Sequence, residues 1–215
     1  MRWSAELGTR KGGRDNPFAC SQRRADVLGL AGLLLDYPDE AMLGLRAEYL
    51  AAAKDLPDSP AARRIVAFCT WLADQDADEV ARAYVATFDH KRCNALYVTY
   101  AANGDMRRRG EALLAFKALY TGAGLRPRED ELPDYLPTVC RFAALAGDAD
   151  ADAALGWART GVDLVARSLA SSGSPWAGLL EAVRACLPPP GRTDGGPGLD
   201  ALIAAGPPSE LVGAY

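Results

Sequence analysis

Alanine and leucine dominate this chain, with 41 Ala and 28 Leu against 12 Val and Ile together. Ala and Leu are the strongest helix formers, whereas sheets draw on β-branched residues. A chain so poor in Val and Ile is expected to be all-α, and 215 residues suit one domain with a sizeable core. Punctuation points the same way. Ser59-Pro60 and Ser174-Pro175 each place a capping hydroxyl before a proline at the first helical position. Gly122, Gly147 and Gly173 fall where helical patterns stop.

The pattern predicts helices near 24–35, 39–54, 60–75, 78–88, 93–102, 106–121, 134–146, 151–171 and 175–187. The expectation is therefore a single helical domain of about seven to nine helices over 24–187. Residues 1–23 form a flexible basic extension, and 188–215 a Gly/Pro-rich tail in which 199–205 can make one turn. The 78–88 helix shows the logic: Val80, Tyr84 and Phe88 lie four apart on one stripe, with Asp76 or Asp78 as the cap. The stretch Leu96-Tyr97-Val98-Thr99-Tyr100 has strand propensity. It reads as helix because Cys93, Leu96, Tyr97 and Tyr100 match a helical face and no partner strand is evident.

Several function classes are disfavoured. Twenty-four Lys and Arg against 28 Asp and Glu give a net charge of −4, which argues against sequence-independent nucleic-acid binding. The longest uncharged apolar run, 27–35, is far short of the roughly 20 residues that span a bilayer, so no stable membrane insertion is expected. Arg23-Arg24 before that run imitates a twin-arginine signal, but Asp26 interrupts it and no A-x-A site follows. Five cysteines without a C-x-x-C and a single histidine, His90, argue against zinc, a disulfide framework and most metal sites. A reducing cytoplasm suits such a chain.

Each candidate for chemistry competes with a structural explanation. His90 and Cys93 lack a third orienting group, so catalysis is not expected there. Gly122-Ala-Gly124 reads as a helix stop closed by Leu125 rather than a phosphate loop. Asp148, Asp150 and Asp152 suit the start of a helix, whose dipole favours acids. Asp105 reads as an N-cap, yet Arg107, Arg108 and Arg109 then occupy a first turn where cations oppose the dipole. Carboxylates such as Asp89 or an outside anion should compensate, with one or two arginines acting as internal struts. Gly110, one turn before Leu114, is placed on the core side, where a close helix–helix approach would offset its cost of ~1 kcal/mol.

Three segments together are the informative ones: Tyr84-Val-Ala-Thr-Phe88-Asp89, Leu96-Tyr97-Val98-Thr99-Tyr100, and Gly104-Asp105-Met106-Arg107-Arg108-Arg109-Gly110. With Leu35-Asp36-Tyr37-Pro38 upstream and Glu131-Leu132-Pro133-Asp134-Tyr135-Leu136-Pro137 downstream, the chain resembles the NarJ-type nitrate reductase assembly chaperones. These belong to the all-helical TorD/NarJ-like maturation chaperones of molybdenum oxidoreductases. The likeness covers about 28–187; where the wider family often has a histidine after the Asp, this chain has Tyr135.

The resemblance implies a cytoplasmic, non-enzymatic chaperone with no cofactor or metal of its own. Its partner would be the apo catalytic (alpha) subunit of respiratory nitrate reductase, including that subunit's N-terminal peptide, and by extension the machinery that inserts the molybdenum cofactor. Implied client contacts are Tyr84, Phe88, Asp89, Leu96, Tyr97, Tyr100, Asp105, Arg107, Arg109, Leu114, Asp134 and Tyr135. For each aromatic the competing expectation is core packing, and Tyr97 and Tyr100 are the ones expected to be exposed. The alternatives are a chaperone for another molybdoenzyme, a helical protein that holds a nucleotide or phosphate through the Arg107–Arg109 cluster, and a subunit retained in a membrane oxidoreductase.

Overall fold

Helix-starting chemistry appears at the positions the residues allow. The computed structural model describes residues 18–100, 106–127 and 130–189, and these contain nine α-helices and no strand. The segments 1–17 and 190–215 and the N-cap expected at Asp105 lie outside the described residues, as does the side chain of Arg107. The helices are α1 (Phe18–Leu34), α2 (Glu40–Gly44), α3 (Arg46–Asp55), α4 (Pro60–Ala73), α5 (Ala77–Phe88), α6 (Met106–Gly122), α7 (Leu136–Leu145), α8 (Asp148–Ser171) and α9 (Ala177–Ala185).

Ser59 caps α4, its hydroxyl accepting from the Ala62 N–H at 3.1 Å, and Asp76 caps α5 through the Asp78 and Glu79 N–H groups. Gly124 takes φ +73° and the Leu125 N–H reaches the Tyr120 carbonyl at 2.9 Å, closing α6 in a Schellman turn as the glycine pattern implies. Asp148 and Asp150 lie in the first turn of α8, where the dipole favours them.

α1 lies along α7, α4 along α9, and α8 packs on both α7 and α9. Their shared interior centres on Trp176, only 1% exposed, whose ring meets Phe68, Trp71, Tyr84 and Phe88 at centroid distances of 5.9, 5.5, 5.8 and 5.6 Å. Such contacts add about 0.5–1.5 kcal/mol each beyond burial. At Gly32 a β-carbon would stand 2.9 Å from the Pro137 carbonyl oxygen, so the α1–α7 approach depends on its absence.

Several expectations need correction. α1 begins at Phe18 rather than at 24. The predicted 39–54 helix breaks at Leu45, where Arg46 donates from Nε to the Leu43 carbonyl (2.8 Å) and from Nη1 to the Gln75 carbonyl (2.7 Å), tying the new turn across to another loop. Ser174 does not cap α9: the helix starts at Ala177, after Trp176 has turned into the aromatic interior. Most consequentially, the helix expected over 93–102 is a 3₁₀ turn, Arg92–Asn94, followed by a single bridge residue, Tyr97, and a turn over 98–100.

That bridge has a partner after all. Tyr97 forms an antiparallel bridge with Tyr135. The Val98 N–H donates to the Asp134 carbonyl at 3.0 Å, and the Leu136 N–H donates to the Leu96 carbonyl at 2.7 Å. The partner is the short stretch before α7, so α7 begins at Leu136 instead of 134. Gly161 of α8 makes room for it: a β-carbon there would sit 2.5 Å from the Val98 carbonyl oxygen and 2.7 Å from its Cα. Gly110, in contrast, is exposed with nothing within 4 Å of a β-carbon, so it permits no close helix approach.

Candidate functional site

Two neighbouring clefts open where α5, the α1–α2 loop and the bridged segments meet. α5 delivers Tyr84 and Phe88, both 4% exposed, and ends at Asp89. The next turn is fixed by Asn94, buried at 1%, which donates from Nδ2 to the Thr87 carbonyl at 2.8 Å. The chain thereby enters the bridged stretch with Leu96 turned inward and Tyr97 half-buried against the Tyr135 ring at 5.3 Å. Tyr37, Tyr84, Phe88, Asp89, Ala95, Leu96, Tyr97 and Tyr135 line a cleft of about 170 Å³. Tyr37, 49% exposed, stands edge-on to Tyr84 at 5.5 Å and also lines a second cleft of about 410 Å³. The other walls of that cleft include Leu33, Asp36, Asp39, Met42, Leu45, Tyr49 and Glu131.

A polar chain runs beneath both. The Tyr84 hydroxyl donates to the Leu35 carbonyl at 3.0 Å and lies 3.1 Å from the Tyr135 hydroxyl. The Tyr135 hydroxyl reaches Asp36 Oδ1 at 3.4 Å, and Arg141 of α7 donates to Asp36 Oδ2 at 2.7 Å. Burial pushes both phenols well above their usual range, so both keep their protons. Desolvation likewise raises the Tyr97 phenol and the Glu131 carboxyl, which the Tyr97 hydroxyl approaches at 3.4 Å.

The remaining expected contacts divide differently. Asp134 is fully buried; its Oδ2 accepts from the Thr99 hydroxyl at 2.6 Å and from the Thr99 N–H at 3.3 Å. Arg109 stands 4.0 Å from the same oxygen and lies over the Tyr100 ring at 5.4 Å. Arg109 is thus the internal strut anticipated within the arginine run, with Asp134 rather than Asp89 as its compensating carboxylate. Tyr100 and Leu114 are each 40% exposed, and neither lines the two clefts. For Leu114 this overturns the core-side placement.

Tyr84, Phe88, Asp89, Leu96, Tyr97 and Tyr135 therefore come together, and Asp134, Arg109 and Tyr100 form the brace behind them. Tyr84, Phe88 and Leu96 pack as core and show the cleft only an edge, as the core-packing alternative held. The sequence reading left Asp36, Tyr37 and Glu131 out of the site. The available signal was an aromatic-proline pair just beyond an apolar helix, which puts an exposed ring on a short loop.

Phenols raised this far by burial are poor proton carriers near neutral pH. Among the described residues no group of three His, Cys, Asp or Glu could hold a metal ion. Cys93 meets Asn94 and Ser168, each at 3.6 Å. No helix among the described residues is long and apolar enough to cross a membrane.

Fold and site define an all-helical protein with a tyrosine-walled cleft. Residues 54–182 match the family model described as nitrate reductase delta subunit. A probable nitrate reductase molybdenum cofactor assembly chaperone NarJ from Bacillus subtilis is 32% identical over 154 residues, 72% of this chain and 84% of that protein. The NarJ of Escherichia coli, also named a molybdenum cofactor assembly chaperone, is 32% identical over 120 residues, 54% of this chain and 50% of that protein. The nitrate reductase-like protein NarX of Mycobacterium tuberculosis is 34% identical over 153 residues, which are 71% of this chain but 23% of that longer protein. The chain belongs to the nitrate reductase delta subunit family.

Proposed function

We propose that this protein is a system-specific, non-enzymatic chaperone that binds the apo catalytic subunit of respiratory nitrate reductase in the cytoplasm. It holds that subunit ready for molybdenum cofactor insertion, in part through the subunit's N-terminal peptide. Family membership and the names of the NarJ relatives support the chaperone role. The observation that carries the binding reading is the pair of joined clefts, with apolar walls from Leu33, Tyr37, Leu45 and Tyr97 and carboxylates at Asp36, Asp39, Asp89 and Glu131. Such a surface suits an apolar segment that also bears positive charge. Reversibility sets the scale: a Kd of about 1 μM with association near 10⁶ M⁻¹s⁻¹ gives release in about a second. Arg109 is engaged with Asp134 and Tyr100, which weighs against a nucleotide site built on the arginine run.

Affinity capture from nitrate-respiring cells should recover the catalytic subunit, and calorimetry should detect its N-terminal peptide but not a guanine nucleotide. Capture of a different molybdoenzyme would reassign the client. Recovery of this chain in the purified mature enzyme would make it a resident subunit instead.

A further inference from the structure

Tyr37 is the one described residue that lines both clefts, so its ring is the ridge between them. The ring is 49% exposed, yet the backbone beneath it is tied on both sides. Its N–H donates to Asp36 Oδ1 at 3.0 Å, and Arg141 holds the other oxygen of that carboxylate at 2.7 Å. Its carbonyl accepts from the Asp39 N–H at 2.9 Å, a three-residue turn centred on buried Pro38, whose fixed φ suits such a turn. Asp39 in turn caps α2 through the Met42 N–H at 2.7 Å. A loop this constrained does not leave an aromatic ring in water through slackness. It presents the ring preformed, so a partner that covers it has little ordering entropy to overcome.

The clefts on either side differ in capacity. Pockets for whole small molecules span about 300–1,000 Å³. The 170 Å³ cleft falls below that range and suits a single large side chain, while the 410 Å³ cleft takes more. Carboxylates stand on both sides of the ridge, Asp89 in the smaller cleft and Asp36, Asp39 and Glu131 in the larger. Pockets divided by a ring and edged with acids fit a polypeptide that carries spaced apolar side chains and basic neighbours. We infer that Tyr37 is the specificity-determining residue of the client site: the bound segment straddles its ring and seats one apolar side chain in each cleft. The inference rests on the client reading above and deepens it.

Calorimetry on the full-length chain provides the test. The probe is a synthetic peptide copying the N-terminal segment of the nitrate reductase alpha subunit, with each apolar residue replaced in turn by alanine or tryptophan. In the wild type, alanine at two separated apolar positions should weaken binding, and tryptophan at the one that enters the smaller cleft should cost about tenfold in affinity. Tyr37→Ala should bind the parent peptide at least about tenfold more weakly while melting close to the wild type, because the ring is half-exposed. With the ridge gone the two clefts merge, so this variant should accept that tryptophan as well as the parent residue. Tyr37→Leu, which keeps apolar cover on Tyr84 but lowers the ridge, should relax selectivity in the same direction. Tyr37→Phe keeps the ring and should match the wild type in both respects.

Unchanged affinity in Tyr37→Ala would overturn the inference and leave the ring as a cover for Tyr84, which it meets edge-on at 5.5 Å. A tryptophan penalty equal in the wild type, Tyr37→Ala and Tyr37→Leu would overturn it too, as would a loss in Tyr37→Phe as large as in Tyr37→Ala. Failure of the parent peptide to bind the wild-type chain would instead overturn the client reading, and this inference with it.

Discussion

Two glycines on α8 permit a controlled test of how the cleft wall is held. A β-carbon at Gly156 meets nothing within 4 Å, whereas at Gly161 it would lie 2.5 Å from the Val98 carbonyl oxygen and 2.7 Å from Val98 Cα. Gly156→Ala and Gly161→Ala share the gain in helix propensity, about 1 kcal/mol. Only the second must push backbone aside, an overpacking cost of about 1–3 kcal/mol, and two backbone atoms inside 3.0 Å argue for the upper end. Gly156→Ala should therefore stabilise by up to about 1 kcal/mol and Gly161→Ala destabilise by about 1–2 kcal/mol. For a chain of this size the two thermal midpoints should differ by roughly 2–12 °C. Displacing Val98 also moves Leu96 and Tyr97 in the cleft wall, so Gly161→Ala should weaken peptide binding while Gly156→Ala leaves it alone. Melting curves and peptide calorimetry on both variants provide the check. Equal stabilisation by the two alanines would refute the claim that α8 seats the bridged segment through a missing side chain.

Other outcomes follow from single contacts. Thr99→Val strips a 2.6 Å donor from the fully buried Asp134 and should cost about 1.5–3 kcal/mol by urea denaturation. Tyr97→Ala should weaken peptide binding with little loss of stability because the ring is half-exposed, while Arg109→Ala should lose stability as well, since it leaves Asp134 without its nearest cation. Burial raises the Cys69 and Cys186 thiols to about 11 and the Cys140 thiol further, so few are thiolates at about pH 8. Alkylation followed by peptide mapping should thus find exposed Cys93 modified well before these three.

The Glu131 carboxyl, raised chiefly by desolvation, binds its proton more readily folded than unfolded. Its charged form burdens the fold near neutral pH, and that burden is relieved as pH falls through the raised value. Glu131→Gln should accordingly gain on the wild type at about pH 7 and lose that advantage towards pH 5 in paired denaturation curves.

Local chemistry was readable wherever an element depended on its own residues. The Ser59 and Asp76 caps, the Gly124 stop and the Tyr84–Phe88 stripe each involve groups within a few positions of one another, and each formed as expected. Residues 96–100 failed for the opposite reason. Their strand propensity was visible, but the partner at 134–136 lies far along the chain and is too short to announce itself as a strand. Gly110 and Gly161 teach the same lesson, since nothing in the flanking residues distinguishes the glycine in open solvent from the one that receives Val98.

The residues on their own committed this chain to helices, because helix propensity and capping are short-range quantities that sum along the backbone. They also brought the aromatic and acidic motifs to notice. Which tyrosines became interior and which became wall was settled by packing, when Gly161 admitted the bridged segment and Asp134 pinned it beside Arg109. The cleft exists through contacts between distant parts of the chain, and exposure at each position depends on what the rest of the fold lays over it.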